Sequence, residues 1–366
     1  MIKLLYITNA INGSGGLERV LAVKASYLAD TLGYKVHILT LNNGDKSPFY
    51  KFSTKIKFID IKVGGNALNY FLQYKKGIKN ALKALKPDVI SVCDDGLKGM
   101  LFPIFFGKKI PVIYERHVSK QIENRADSIS FVQRLKTRLK FGLMNFGASQ
   151  FHKFVVLTNG NLKEWNLNNL VVIPNPLPFT NEAQSLLTNK KVLVVGKQSY
   201  QKGYDRLLDI WSLVSKKFPD WSIDVYGKLD SNLKLEEKAE VLEISNTIHF
   251  YPPVKDIQAK YKEASIYVMS SRFEGFGMVL IEAMSFGVPC VAFDCPHGPA
   301  DIITHTEDGF LIENDNINGF ANVLINLIEN ETLRKRMGFQ AKENVKRYTP
   351  DNIIPLWDTL FKSLVK

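Results

Sequence analysis

The sequence predicts an α/β protein built as two doubly wound units, each a parallel sheet covered by helices. Three observations carry this. The chain has 366 residues, too many for one small core and suited to two. Short β-rich apolar runs alternate with stretches of helical periodicity, the pattern of parallel sheets. The alternation halts at a proline-rich connector, Ile173-Pro174-Asn175-Pro176-Leu177-Pro178, passes through polar residues 179–189, and starts again. The expected bounds are 1–175, 176–350, and a last helix over 351–366 that returns to the first domain.

In the first half, residues 3–8 read as a strand and 9–16, NAINGSGG, as a flexible loop. Residues 17–32 carry apolar side chains at helical spacing, and 36–41 and 55–61 read as strands. A helix over 67–85 stops at Lys86-Pro87. Strands follow over 88–92 and 109–114. Ligands of such sheets bind beyond the C-terminal strand ends. Two polar groups lie there: Cys93-Asp94-Asp95-Gly96 and Glu115-Arg116-His117. A lone histidine at a strand end is more often a structural hydrogen-bonder than a ligand. Residues 129–151 combine an apolar stripe (Ile129, Val132, Leu135, Leu139, Leu143, Phe146) with Arg134, Lys136, Arg138 and Lys140. The favoured expectation packs that stripe on the chain's own sheet and leaves the charges in water. The alternative is docking on a membrane surface. Residues 153–157 and 171–173 are further strands.

In the second half, a strand over 191–195 leads into Gly196-Lys197-Gln198-Ser199-Tyr200-Gln201-Lys202-Gly203 and a helix over 205–218. Two lysines on a glycine-bearing strand-to-helix loop suit a diphosphate. The order G-x4-G-K-[ST] is absent, so this is no P-loop. Strands over 221–226 and 248–250 flank a helix over 234–242. The strand 266–269 opens the densest stretch, SSRFEGFGMVLIEAMSFGVP, which reads as loop then helix. Its glycines let backbone N–H groups approach an anion at the helix N-terminus. Glu274 in the loop and Glu282 on the second helical turn are expected to face a ligand and accept hydrogen bonds from its hydroxyls. The plain alternative is a loop acid and a solvated helix acid. A strand over 288–293, helices near 318–328 and 331–345, and a last helix after Pro350 complete the chain.

Composition narrows the classes. Residues 1–178 hold 26 Lys and Arg against 11 Asp and Glu, and the remainder 22 against 25, so one half is basic and the other nearly neutral. A phosphorylated acceptor, an anionic lipid or nucleic acid suits such a half. No stretch is long and apolar enough to span a membrane, and no signal peptide is evident, which places the expected chain in the cytoplasm. The three cysteines, Cys93, Cys290 and Cys295, form no metal motif. No D-x-D occurs, so neither a metal nor a cofactor is expected.

The run Ser270-Ser271-x-x-Glu274-Gly275-Phe276-Gly277, then Glu282-Ala283-Met284, then Gly287-x-Pro289, resembles the E-x(7)-E region of family 4 glycosyltransferases, retaining enzymes of the GT-B fold. The resemblance implies two Rossmann-like domains facing each other across a cleft, the first for the acceptor and the second for a nucleotide-sugar. It sets Glu274, with Gly275, Phe276, Gly277 and Met278, at the donor, and Glu282 on the ribose. Gly15-Gly16-Leu17-Glu18-Arg19 matches the family's Gly-Gly at the donor phosphate and sugar. Lys197 falls where arginine is more usual, and it and Lys202 would meet the diphosphate; lysine keeps the charge but gives up the fork. His117 falls where the family contacts the transferred sugar. Catalysis is expected of His117, Glu274 and Lys202. Tyr251 and Val254 follow the strand near the base, although Pro252 and Pro253 leave fewer backbone donors there. Asp94, Asp95 and Arg116 are expected at the acceptor.

The expected activity is retaining transfer of a hexose or N-acetylhexosamine from a UDP-sugar, with GDP-sugar as alternative. The acceptor is a glycan or lipid-linked glycan in cell-surface polysaccharide synthesis, at the inner face of the plasma membrane. An anionic membrane surface is an expected partner and nucleic acid is not. A GT-B sugar-nucleotide epimerase and a non-enzymatic binder of anionic glycan or nucleic acid are the alternatives. A binder does not need both lysines, both glutamates and the glycine loop together.

Overall fold

The computed structural model describes residues 1–44, 46–94, 96–120, 131–179 and 183–365. Asp95 and Ile129, and the side chain of Arg134, lie outside them. The chain forms two compact units, one of Met1–Val118, Ala126–Pro178 and Pro350–Lys366, the other chiefly of Phe179–Thr349. The break falls after Pro178 instead of at 175.

In chain order the first unit holds β1 (Lys3–Ile7), α1 (Gly16–Asp30), β2 (Lys35–Leu41), β3 (Lys57–Ile61), α2 (Ala67–Leu85) and β4 (Val89–Val92). It continues with α3 (Leu97–Met100), α4 (Phe102–Phe106), β5 (Val112–Glu115), α5 (Phe131–Ser149), β6 (Lys153–Val156), α6 (Asn159–Leu162) and β7 (Leu170–Val172). The second unit holds β8 (Lys191–Val195), α7 (Tyr204–Ser215), β9 (Ser222–Tyr226), α8 (Leu235–Val241), β10 (Ile248–Tyr251), α9 (Ile257–Glu263) and β11 (Ile266–Met269). Then come α10 (Met278–Ser285), β12 (Cys290–Asp294), α11 (Pro299–Ile302), β13 (Gly309–Glu313), α12 (Ile317–Glu329) and α13 (Glu331–Asn344). The final helix α14 (Pro350–Leu364) groups with the first unit.

Both sheets are parallel throughout. The first runs β3-β2-β1-β4-β5-β6-β7 and the second β10-β9-β8-β11-β12-β13. In each the strand order reverses once, between β1 and β4 and between β8 and β11. Loops leaving the C-terminal ends of those strand pairs diverge there and open a crevice. Each unit has its own apolar core, around Tyr114 and Phe154 in the first and Trp211 and Phe293 in the second. α14 docks on α1 and the turn after it by burying Trp357 and by hydrogen bonds from Tyr27 Oη of α1 to Asp351 and from Tyr34 Oη of the turn to Asp358, each 2.7 Å.

Two expectations need correction. β13, α3, α4, α6 and α9 were not expected; all are short, and the apolar run of β13, Phe310-Leu311-Ile312, is only three residues long. The stripe of α5 does not pack on the sheet. Val132, Leu135, Leu139, Leu143 and Phe146 are 58, 51, 67, 41 and 56% exposed. The buried face is Met144, Gly147 and Ala148. A Cβ at Gly147 would sit 2.7 Å from the Met100 carbonyl oxygen, so small side chains bring α5 close to α3.

Candidate active site

At the switch point of the second sheet, the loops after β8 and β11 are laced together. Lys202 ends a 3-10 turn (Tyr200–Lys202), and its Nζ lies 2.7 Å from Glu274 Oε1. Ser271 Oγ donates to the same carboxylate oxygen at 2.6 Å. Ser270 Oγ donates to the Lys202 carbonyl at 2.9 Å, and Arg206 Nη2 to the Ser270 carbonyl at 2.6 Å. Arg272 forks onto Asp205 at 2.9 and 2.6 Å and stacks on Tyr200. The Asp205 carboxyl is lowered: burial opposes its charge, and the Arg272 guanidinium more than offsets that. A charge-assisted fork of this kind fixes loop geometry as a single bond does not. Asp205, Arg206 and Arg272 carry no expected role from the sequence, and Ser271 enters it only as part of the run around Glu274. The excess of short polar side chains around Glu274 was the available signal.

The N-terminus of α10 adjoins this pair. Gly277 caps it at φ +100°, a conformation that favours glycine, and no side chain caps this end. Helix dipole and amide groups there suit an anion. Phe276 is buried and packs edge-on against Tyr348, while Gly275 and Met278 are partly exposed. Glu274 is only 6% exposed. Glu282 differs from both readings of it. It is neither solvated nor turned outward with Glu274: it is 2% exposed and accepts a 2.9 Å hydrogen bond from Tyr261 Oη of α9.

Beside the laced loops lies a pocket of about 490 Å³, walled by Lys197, Gln198, Tyr200, Lys228, Asp230 and Phe273 among others. Lys197 is exposed here. Gln198 shapes the wall, its backbone donating to Lys228 and its side chain accepting from the Asp230 amide at 2.6 Å. Tyr251 and Val254 are not among the walls. Each is 37% exposed, and Tyr251 stacks on Tyr226 at 4.7 Å.

The first unit holds the remaining expected residues. Gly15 is the N-cap of α1, and Gly16 its first residue; both are exposed. The Glu18 carboxylate folds back over Gly13 and Gly15, where their missing side chains leave room. Asp94 is buried and engaged: it accepts from Asn9 Nδ2 and the Gly96 amide, each at 2.9 Å, and pairs with Lys98 at 3.2 Å. Arg116 is 4% exposed. Both thus present little surface to an acceptor, contrary to expectation, and Asp94 is taken up by its neighbours at the strand end; Asp95 lies outside the described residues.

His117 stands at the end of β5 with Nε2 3.2 Å from Glu115 Oε2. Glu115 is the strand's last residue, fully buried, ion-paired to Lys24 of α1 and hydrogen-bonded by Ser91 Oγ. Burial works against its charge, but Lys24, helped by His117, overrides it and holds the carboxyl down at about 2. Cys93, Glu115 and His117 bring donor atoms within 4.8 Å of one another. The set suits a metal poorly. The Lys24 ammonium already occupies the carboxylate, and burial and the Glu115 charge push the Cys93 thiol well up, away from the thiolate a metal takes.

The description "Glycosyl transferases group 1" matches residues 179–344. An uncharacterized glycosyltransferase of Haemophilus influenzae is 30% identical over 98% of this chain and 99% of its own. The amylovoran biosynthesis glycosyltransferase AmsD of Erwinia amylovora is also 30% identical, over 98% and 99%. Among solved structures, Anabaena HepE in complex with UDP and glucose superposes with a TM-score of 0.79 over 99% of this chain and 100% of that one, at 19% identity. The parallel Rossmann-like sheets, each with one reversal of strand order, are those of a GT-B fold. Two relatives alike from end to end, and a family description spanning the unit that holds the laced loops, lead to one assignment: the chain belongs to the group 1 glycosyl transferases.

Proposed function

We propose that the chain moves a hexose or N-acetylhexosamine, with retention, from a UDP-sugar to a glycan or lipid-linked glycan in cell-surface polysaccharide synthesis. The observation that carries the reading is the Lys202–Glu274 contact of 2.7 Å beside the glycine-capped start of α10. The ammonium has three donors, so it can keep Glu274 while meeting a phosphate oxygen. Lys197, Lys202 and the α10 N-terminus together neutralise a leaving diphosphate without a metal. As the bond from the sugar's anomeric carbon to the phosphate oxygen breaks, an oxocarbenium-like centre forms. The acceptor oxygen attacks from the same face, and its proton passes to the departing phosphate oxygen. Glu274 orients sugar hydroxyls, and Gly275, Phe276, Gly277 and Met278 line the donor. Gly15 and Gly16 receive donor phosphate once the Glu18 carboxylate moves off, and His117 contacts the transferred sugar. Glu282 accepts from a ribose hydroxyl on the carboxylate sites that Tyr261 leaves open. The amylovoran relative and the UDP and glucose in HepE support this donor and product class.

A donor screen by thermal shift tests the reading. At a concentration 100 times Kd the true donor adds about 2.7 kcal/mol, a rise in Tm of roughly 5–10 °C. UDP-sugars are expected to give it, and GDP-sugars less. Nucleotide release that requires a glycan acceptor supports transfer; release at the same rate without one points to an epimerase or hydrolase.

The chain is proposed to work against an anionic membrane. Among the described residues no helix is long and apolar enough to cross one. The exposed stripe of α5, flanked by exposed Lys136 and Arg138, is suited to lie in the headgroup region. Flotation with vesicles containing anionic phospholipid should carry the protein at low salt. Replacing Leu135 and Leu139 with glutamate should leave it at the bottom of the gradient. If wild type and variant sediment alike, the stripe has another use.

A further inference from the structure

We propose that Lys24 and Glu115 are positioning residues that lock the ring of His117 and present its Nδ1 to the sugar as a hydrogen-bond acceptor. This rests on the reading of His117 as a sugar contact. An ionised carboxylate only accepts hydrogen bonds, so the imidazole nitrogen facing it, Nε2, carries the proton. In the neutral ring, Nδ1 then keeps its lone pair. A sugar hydroxyl donating to that lone pair would be held in one orientation.

The carboxylate is itself held from two other elements, α1 and β4, and its Lys24 partner is packed by two more. Lys24 comes from α1, and its Nζ lies 3.8 Å from the Trp357 ring centroid of α14 and 5.2 Å from that of Tyr6 in β1. Ser91 of β4 donates to Oε1, while Lys24 and His117 share Oε2. Lys24 and Glu115 are each 1% exposed in their side chains, so neither is placed to touch a substrate. Lys24 already neutralises the charge, and Ser91 and Lys24 between them engage both carboxylate oxygens. That the imidazole is nonetheless seated on Oε2, at the C-terminal end of a strand, is what a structural ion pair alone leaves unexplained. Orientation of a working histidine by a buried carboxylate is a general device.

The first test needs no variant. Long-range ¹H–¹⁵N correlation of the imidazole nitrogens, with His117→Asn to assign the signal among six histidines, should show the Nε2–H tautomer. A Nδ1–H ring in the wild type overturns the proposal. The second test is the charge-neutral pair Lys24→Met with Glu115→Gln, which keeps side-chain volume. Its His117 should become a mixture of tautomers, and kcat should fall about 10- to 100-fold with donor KM little changed. Ser91→Ala, which leaves both charges, should keep the tautomer and lose only a few-fold in kcat, and serves if the double variant does not fold. Full kcat and an unchanged ring in a folded double variant overturn the positioning role while sparing His117. Full turnover by His117→Ala overturns the sugar-contact reading itself, and the proposal with it.

Discussion

Lys202→Ala is expected to lower kcat/KM by about 10²–10³-fold, the loss typical of removing one pre-placed stabiliser of transition-state charge. The side chain is well set for the role. It leaves the end of a 3-10 turn, is 16% exposed, and meets Glu274 Oε1 at 2.7 Å. Alanine removes the cation and strands a carboxylate that is 8% exposed in its side chain, with Ser271 still bound. The damage therefore has two parts, which Lys202→Met separates: methionine keeps the hydrocarbon stem and drops only the charge. Both variants should lose kcat, and both should show weaker stabilisation by free UDP. Lys202→Arg keeps the charge on a longer, planar head and should retain part of the activity. The measurement is nucleotide release in the presence of acceptor. Alanine and methionine variants that turn over within about three-fold of wild type, well short of the loss expected for a transition-state contact, would sink the diphosphate role.

The residues of this pair lie 72 positions apart, and both loops could be read from the sequence. Gly196 and Gly203 bracket one, and Gly275 and Gly277 stand in the other, each between a β-rich run and a helical period. The pairing itself was not legible, because it depends on β11 lying beside β8. Strand order is a property of the whole sheet and leaves no local mark. Glu282 shows a different limit. Helical spacing put it on the second turn of α10, but only tertiary packing turns it onto Tyr261 and takes it out of water. On α5 the periodicity was read correctly and its direction wrongly. An apolar stripe normally marks the packed face; here Gly147 and Ala148 make the close approach to α3 with Met144 buried beside them, and the stripe's side chains are left outside. Small residues carry little hydropathy signal, so the sequence pattern pointed to the wrong face.

Gly203→Ala is expected to be among the most damaging single methyl additions in the second unit. Gly203 sits at φ +62°, where an L side chain costs about 1 kcal/mol or more. Its Cβ would also fall on the Ser270 carbonyl oxygen, closer than any real Cβ contact. That oxygen is backbone and is already gripped by Arg206 Nη2 at 2.6 Å, so it has no easy way to retreat. Overpacking of this kind costs about 1–3 kcal/mol, for a total of about 2–4 kcal/mol and a fall in Tm of roughly 5–15 °C. The functional loss should exceed the stability loss. Pushing Ser270 from Gly203 stretches the 2.9 Å bond from Ser270 Oγ to the Lys202 carbonyl, and with it the register between Lys202 and Glu274. Turnover measured far below the new Tm should therefore still be depressed. Gly142→Ala is the matching control: on the exposed side of α5 a Cβ there meets nothing within 4 Å, and alanine should stabilise the helix by about 0.8–1 kcal/mol. A Gly203→Ala protein that melts with the wild type and works at its rate would mean that the two loops do not need this close approach, and the laced-loop account of the site would fall.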